Sequence, residues 1–245
     1  MTILALETSA ASCQLAIYDG ETLRCIEEHD QRHSRVLLAM AERLLETNNK
    51  ALRELDSIAV CVGPGSFTGL RIGVAVAQGL AYAAGLPVLA VSSLAAIAFE
   101  AELATRSCRA GESLRVLATL DARKEQIYCA WFDCDSESVR AIGEAVVCNP
   151  GELPEAGVSG AAFTPHNIVI AGSGLQYAAD MPGWVQALAV DEFNGASLAQ
   201  HDTSLSRLAP TARAVAVLAS RAFAKGGGIE PVELKPLYLR DKVTD

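Results

Sequence analysis

Gly63-Pro64-Gly65-Ser66-Phe67-Thr68-Gly69-Leu70-Arg71-Ile72-Gly73 follows the apolar run Ile58-Ala59-Val60-Cys61-Val62 and opens a long, mostly apolar stretch that runs to Ala84, so it reads as a strand-to-helix turn. Gly63 and Gly65 allow positive φ and close backbone approach, Pro64 fixes the turn between them, and Ser66 is placed to cap the helix by accepting from an orphan N–H. Two readings stand side by side. Free amides and the helix dipole would cradle a phosphate, or the turn serves only close packing of strand and helix. The spacing excludes a P-loop, because five residues separate Gly63 from Gly69 and Leu70-Arg71 follow. It also excludes the dinucleotide fingerprint, whose third glycine is replaced by Thr68.

Outward from this turn the chain repeats itself. Ile3 to Leu6 predicts a strand ending in Glu7 and the turn Thr8-Ser9-Ala10-Ala11-Ser12, followed by a strand from Cys13 to Tyr18, the hairpin signal Asp19-Gly20 and a strand over Glu21 to Glu27. Later, Arg115 to Leu120 ends in Asp121, Ala122 to Glu125 forms a polar turn, and Gln126 to Phe132 returns to Asp133. Glu7 to Asp19 and Asp121 to Asp133 have the same spacing. Each set then reaches a strand ending in Gly-x-Gly before a helix: Gly63-Pro64-Gly65 in the first, and Ile168 to Ala171 followed by Gly172-Ser173-Gly174 in the second. The order predicts two related α/β halves.

Two helices are predicted in the first half. Ser34 to Asn48 carries the apolar stripe Leu37, Leu38, Ala41, Leu44 and Leu45; Phe67 to Ala84 is stopped by Gly85 with Pro87 beyond. Gly69, Gly73, Ala77 and Ala81 recur every fourth residue of the second. Glycine inside a helix costs about 1 kcal/mol, so something packs closely on this row, either the chain's own core or a second subunit. Glu100 to Glu112 reads as the boundary, Asn149 to Pro165 as a surface loop, Ser206 to Lys225 as a last helix stopped by three glycines, and Val232 to Arg240 as an extended tail. The organisation expected is a first lobe over 1–105, a smaller lobe over 106–205, and a segment over 206–245 that packs back on them.

The 245 residues suffice for a sizeable core, built from Ala, Val, Leu and Ile because aromatics make up only 5%. Lys and Arg number 20 against 29 Asp and Glu, a net charge of −9. Such a surface repels nucleic acid, so any RNA must be held by a partner's basic surface. Seven cysteines with no C-x-x-C pair suit a reducing cytosol. No basic leader precedes Glu7, which does not fit a signal peptide. Residues Ile72 to Phe99 carry no charge, but Gly85-Leu86-Pro87 divides them into pieces too short to span a bilayer.

Leu4-Ala5-Leu6-Glu7-Thr8-Ser9, His33-Ser34, the block Gly63 to Gly73, Asp121-Ala122-Arg123 and Pro236-Leu237-Tyr238-Leu239-Arg240 together resemble the TsaB (YeaZ) family over nearly the whole chain. The resemblance implies a duplicated actin/Hsp70-like (ASKHA, ribonuclease H-like) α/β fold with two related lobes. It further implies a cytoplasmic role in making N6-threonylcarbamoyladenosine in tRNAs that read ANN codons. In that system a TsaD-type paralogue performs the transfer with a metal held by a helical histidine pair. Here Ser92-Ser93-Leu94-Ala95-Ala96-Ile97 follows the strand Val88 to Val91, with no histidine, and hydroxyls cannot replace imidazole as transition-metal ligands. The implied role is a non-catalytic scaffold, without cofactor or metal, that pairs with the TsaD-type protein, works with a TsaE-type ATPase, meets tRNA only through the complex and forms a homodimer when isolated. Family pairing maps onto the two first-half helices, giving Leu37, Leu38, Ala41, Leu44, Leu45, Gly69, Arg71, Ile72, Gly73, Val76 and Ala77 as interface residues.

Other candidates are weighed on their residues. Glu7-Thr8-Ser9, Gly63-Pro64-Gly65, Gly172 and Gly174 are read as vestigial phosphate-type loops. Glu7 and Asp121 stand where actin-fold kinases place carboxylates that position Mg²⁺ or water, which leaves a nucleotide-dependent kinase or ATPase as the alternative function. Against it, Ala122-Arg123-Lys124 replaces the Gly-Thr needed for close phosphate contact, and a capping carboxylate explains both acids. Arg71 is expected in a surface or interface ion pair. His29 and His33 have helical metal spacing, but Asp30-Gln31-Arg32 predicts a polar connection with no third ligand nearby. His166 and His201 fall in polar loops, and a metallopeptidase reading fails on the missing histidine pair.

Overall fold

The computed structural model describes residues 1–29, 33–106, 113–155, 167–185, 192–193, 196–197 and 203–240. The chain divides into two compact units: Met1–Ala96 with Pro210–Tyr238, and Ile97–Ala209 with Leu239–Asp245.

The first unit is built on a five-stranded sheet of β1 (Ile3–Glu7), β2 (Cys13–Tyr18), β3 (Leu23–Glu28), β4 (Ser57–Gly63) and β5 (Val88–Ser92), in the order β3-β2-β1-β4-β5. β1 pairs antiparallel with β2, Ile3 opposite Tyr18 and Glu7 opposite Gln14, and parallel with β4, Ile3 opposite Ser57. Because side chains alternate across a strand, the central strands feed two cores. Leu4, Leu6, Leu15, Ile58, Val60 and Val62 face one side and meet α1 (His33–Thr47) and α2 (Phe67–Ala84). Ile3, Ala5, Ala59, Cys61, Leu89 and Val91 face the other and meet Ala212, Val215, Ala216 and Ala219 of a C-terminal helix over Ala212–Ala224. Burial on both faces explains why β1 and β4 read as continuous apolar runs.

Several boundaries fall where predicted. β2 and α2 match to the residue; Ser66 caps α2 by accepting from Gly69 N–H, and Gly85 closes it at φ 66° in the left-handed region. The C-terminal helix is shorter than expected, beginning at Ala212 with Thr211 as its cap and Pro210 outside it, because proline's ring and lost N–H exclude it from a helix interior. The tail expected to be extended opens on a helical turn, with Leu234 extended directly after it. It forms a 3₁₀ turn at Pro231–Glu233, while Gln78 on α2 donates to the carbonyls of Pro231 at 3.0 Å and Leu234 at 3.1 Å.

α3 (Ser93–Thr105) occupies part of the expected linker, and the division between the units falls inside it, between Ala96 and Ile97. Leu94, Ala96, Ile97, Ala98, Phe99 and Ala101 are all buried, so the helix shows no apolar stripe to announce it.

The second unit repeats the topology. β6 (Leu114–Arg123), β7 (Gln126–Cys134), β8 (Val139–Cys148) and β9 (Ile168–Ala171) lie in the order β8-β7-β6-β9, with β6 antiparallel to β7 and parallel to β9, as β1 is to β2 and β4. This shared order is the duplication, and the actin-like α/β fold expected from the sequence is the one observed. Leu117, Ile127, Cys129, Trp131, Leu153, Ile168, Met181 and Val185 form the core of this unit. Two features differ from expectation. β6 runs through the predicted turn to Arg123, with Arg123, Lys124 and Glu125 all at positive φ, and the helix expected after Gly172-Ser173-Gly174 is a 3₁₀ segment, Ser173–Asp180.

Candidate functional site

β1 and β4 are parallel neighbours, so their C-terminal ends bring Glu7-Thr8-Ser9 beside Gly63-Pro64-Gly65 and the start of α2. The carbonyl of Ser9 accepts from Ser66 N–H at 2.9 Å, and the Thr8 hydroxyl donates to the carbonyl of Gly69 at 2.8 Å. This proximity is what the glycines permit. A Cβ on Gly69 would lie 1.9 Å from the Thr8 carbonyl oxygen, and one on Gly73 would lie 2.3 Å from Thr8 Oγ1. The glycines of the small-residue row are therefore covered by the chain's own first turn, and Ala77 and Ala81 continue the row into the core.

Glu7 is fully buried at 0% exposure. Its Oε1 accepts from Ser9 N–H at 2.5 Å, Ser9 Oγ–H at 2.6 Å and Ala10 N–H at 3.1 Å. Ser93 Oγ–H donates to Ser9 Oγ at 3.2 Å, and Cys61 Sγ lies 3.0 Å from Ser93 Oγ. Among the described residues no partner reaches Oε2 in hydrogen-bonding geometry, although the nearby Cys61 thiol and the bonds at Oε1 favour the charged form. Loss of solvation outweighs them and raises the Glu7 carboxyl above its ordinary value. Burial, reinforced by the Glu7 charge, pushes the Cys61 thiol well up as well, so Cys61 is an inert core group.

The cluster has a pH signature. A carboxyl whose folded pKa lies above its unfolded value of 4.5 contributes fully below that pH, and the contribution is lost as pH rises through the folded pKa, because only the unfolded chain releases the proton. Within that window the loss is about 1.4 kcal/mol per pH unit. Urea midpoints measured from pH 5 to 8 are expected to fall less for Glu7→Gln than for the parent. Parallel profiles would show that Glu7 is already charged when folded.

In chemical terms part of the turn is already engaged. A phosphate cradle needs outward-facing amides, and Ser9 and Ala10 N–H are held by Glu7, Ser66 N–H by Ser9, and Gly69 N–H by Ser66 Oγ. A carboxylate that orients Mg²⁺ must be open to its water shell, and Glu7 is covered. In the second unit Asp121 is exposed, with Oδ1 accepting from Arg123 N–H at 2.8 Å and Tyr177 O–H at 3.1 Å. Gly172, at φ 102°, places its Cα against the Thr119 carbonyl, which a Cβ would approach to 2.0 Å, and Gly174 lies against the Thr119 side chain.

The predicted interface residues separate into two groups. Leu37, Ala41, Leu44, Leu45 and Ala77 lie in the first unit's own core, and Gly69 and Gly73 are buried against Thr8, which removes all seven from the surface. Their apolar period marks the core-facing side of each helix. Leu38 stands out at 58% exposure, Ile72 and Val76 are half-buried at the edge of that core, and Arg71 is exposed. Arg71 is held by aromatic groups rather than the expected acid: its guanidinium lies 3.8 Å from the Phe67 ring centroid, and Nε–H donates to the Tyr238 hydroxyl oxygen, Oη, at 3.0 Å. Sequence reasoning missed Tyr82 and Val232, exposed at 84% and 80%, and the Phe67–Arg71–Tyr238 stack, whose only sequence signal is the i, i+4 spacing of Phe67 and Arg71.

Among the described residues no group of three or more His, Cys, Asp and Glu side chains could hold a metal, and no helix is long and apolar enough to cross a membrane. His29 pairs with Glu27 at 3.5 Å; the side chain of His33, and His166 and His201, lie outside the described residues.

Comparison with known proteins identifies this architecture. A family model described as TsaD, tRNA N6-adenosine threonylcarbamoyltransferase, matches residues 27–242. The tRNA threonylcarbamoyladenosine biosynthesis protein TsaB of Haemophilus influenzae is 30% identical over 255 residues, covering 100% of this chain and 95% of that protein. The chain belongs to the TsaB family. TsaB of Escherichia coli is likewise 30% identical, over 99% of this chain and 96% of its own. The structure of YeaZ from Pseudomonas aeruginosa, 32% identical, superposes with a TM-score of 0.79 over 97% of this chain and 99% of that one. The TsaB match therefore spans both units and includes the β1–α2 junction.

Proposed function

We propose that this chain is the non-catalytic subunit of a tRNA threonylcarbamoyladenosine-forming assembly, binding a TsaD-type transferase through the exposed side of α1 and α2. The observation that carries the reading is the state of Glu7: the acid at the position where an actin-type phosphotransferase holds Mg²⁺ is buried and occupies the Ser9 and Ala10 amides of its own turn. A scaffold loses nothing by that burial. The relatives' names, tRNA threonylcarbamoyladenosine biosynthesis protein TsaB, supply the pathway, and the charge of −9 leaves tRNA binding to the partner. The same face serves self-association in the isolated protein, a TsaE-type ATPase completes the assembly, and the cytoplasm is its site of action.

The docking face is drawn from Leu38, Ile72 and Val76, with the aromatic-stacked Arg71 at its edge. Leu38→Glu places a charge where a partner would desolvate it, without entering the core. It is expected to weaken co-elution with the TsaD-type protein at least tenfold, about 1.4 kcal/mol, and to lower tRNA modification in a reconstituted assay while leaving the melting temperature nearly unchanged. Undiminished association would remove this face from the interface. Modification by the chain alone, or micromolar ATP binding to it in calorimetry, would overturn the non-catalytic reading.

A further inference from the structure

Away from the β1–α2 junction, two cysteines approach each other on the neighbouring strands β7 and β8 of the second unit. β7 and β8 are antiparallel with Cys129 opposite Val146 and Cys148 opposite Ile127, so the two cysteines are diagonal neighbours on one face of the sheet. Their sulfurs lie 3.8 Å apart. Cys129 is buried, whereas Cys148 is partly exposed at the end of β8. A disulfide needs the sulfurs at about 2.05 Å. The slack for that approach lies on the page: β8 is the outermost strand, and its register with β7 is broken between Cys129 and Trp131.

We propose that Cys129 and Cys148 are a reversible dithiol–disulfide pair, a modification site oxidised by low-molecular-weight disulfides such as oxidised glutathione. Cys148 is the entry point because it is the more exposed of the two. The Cys129 thiol beside it also holds Cys148 below the ordinary thiol value, while the same contact and burial raise Cys129. The Cys148 thiolate attacks one sulfur of the oxidant, forming a mixed disulfide and releasing one thiolate, which takes the Cys148 proton. Cys129 then gives up its proton and attacks Cys148 Sγ, expelling the second small thiol. Two protein thiols become one disulfide, and one oxidant disulfide becomes two thiols.

The closed bond would sit at the open end of the β7–β8 hairpin, opposite the turn in which Asp135 caps Glu137 and Ser138. It would thereby tie the edge strand at both ends. Because closure draws the strands together, the bond is expected to be readily reduced.

The test equilibrates the full chain with glutathione buffers of increasing oxidised fraction and maps the peptides without reduction. Loss of two titratable thiols with a Cys129–Cys148 cross-link, reversed by dithiothreitol, is the expected result. Cys129→Ser should instead trap glutathione on Cys148, and Cys148→Ser should leave Cys129 unmodified. The proposal is overturned if both thiols stay free across the series, if the parent accumulates the mixed disulfide without closing, or if Cys148 links to another cysteine. The parent's peptide map decides the matter even where a variant folds poorly.

Discussion

Gly69→Ala is expected to lower the melting temperature by roughly 6–12 °C, from about 3 kcal/mol of overpacking at 2–4 °C per kcal/mol. The added Cβ would stand 1.9 Å from the Thr8 carbonyl oxygen, and backbone on both sides leaves no flexible side chain to move aside. Relief requires shifting α2 away from the β1 turn, which would also strain the Thr8 hydroxyl bond to the Gly69 carbonyl. Gly79 on the same helix is the control: a Cβ there meets nothing within 4 Å, so Gly79→Ala should stabilise by about 0.5–1 kcal/mol through helix propensity alone. Equal effects of the two substitutions would show that glycine spacing in α2 reflects composition and not contact.

Gly172→Ala should cost the second unit a similar amount, about 3 kcal/mol, since it combines a φ of 102° with a Cβ 2.0 Å from the Thr119 carbonyl oxygen. Fluorescence can assign the loss. Both tryptophans of the chain, Trp131 and Trp184, are in the second unit and stack at 6.0 Å. Gly172→Ala is expected to move the tryptophan transition to lower urea ahead of the far-ultraviolet circular dichroism change, whereas Gly69→Ala should bring part of the dichroism change ahead of fluorescence. Superimposable transitions in both variants would mean that the units melt as one cooperative body.

Much of this architecture is visible in the residues. α2 is legible because Ser66 and Gly85 bracket it with the two chemistries that satisfy helix ends, and the duplicated order is legible because turn residues recur at matching intervals. α3 escaped because a helix buried on every side carries no 3.6-residue period. β8 escaped because, as an edge strand with half its side chains in solvent, it begins with the mixed residues Val139-Arg140-Ala141-Ile142-Gly143-Glu144 and turns apolar only over its last four. The proposed docking face was the hardest to read. Apolar period shows that Leu37, Ala41 and Leu44 turn inward, but it does not say whether inward means the chain's own sheet or another molecule. The glycines of the junction posed the same ambiguity, and only the distance to Thr8 resolves it toward packing. Glu7 was found by position, while its burial depends on Ser9, Ser93 and Cys61 converging from three separate strand ends.

The first unit is assembled from two stretches that lie on either side of the second in sequence: Ile3, Ala5, Ala59, Cys61, Leu89 and Val91 rest on a helix that begins only at Ala212. During synthesis on the ribosome this sheet emerges with one oily side bare. It stays so for on the order of ten seconds, while the intervening residues are translated. A chain cut short before Ala212 would leave that side of the sheet without its cover, a sticky fragment rather than a half-finished lobe.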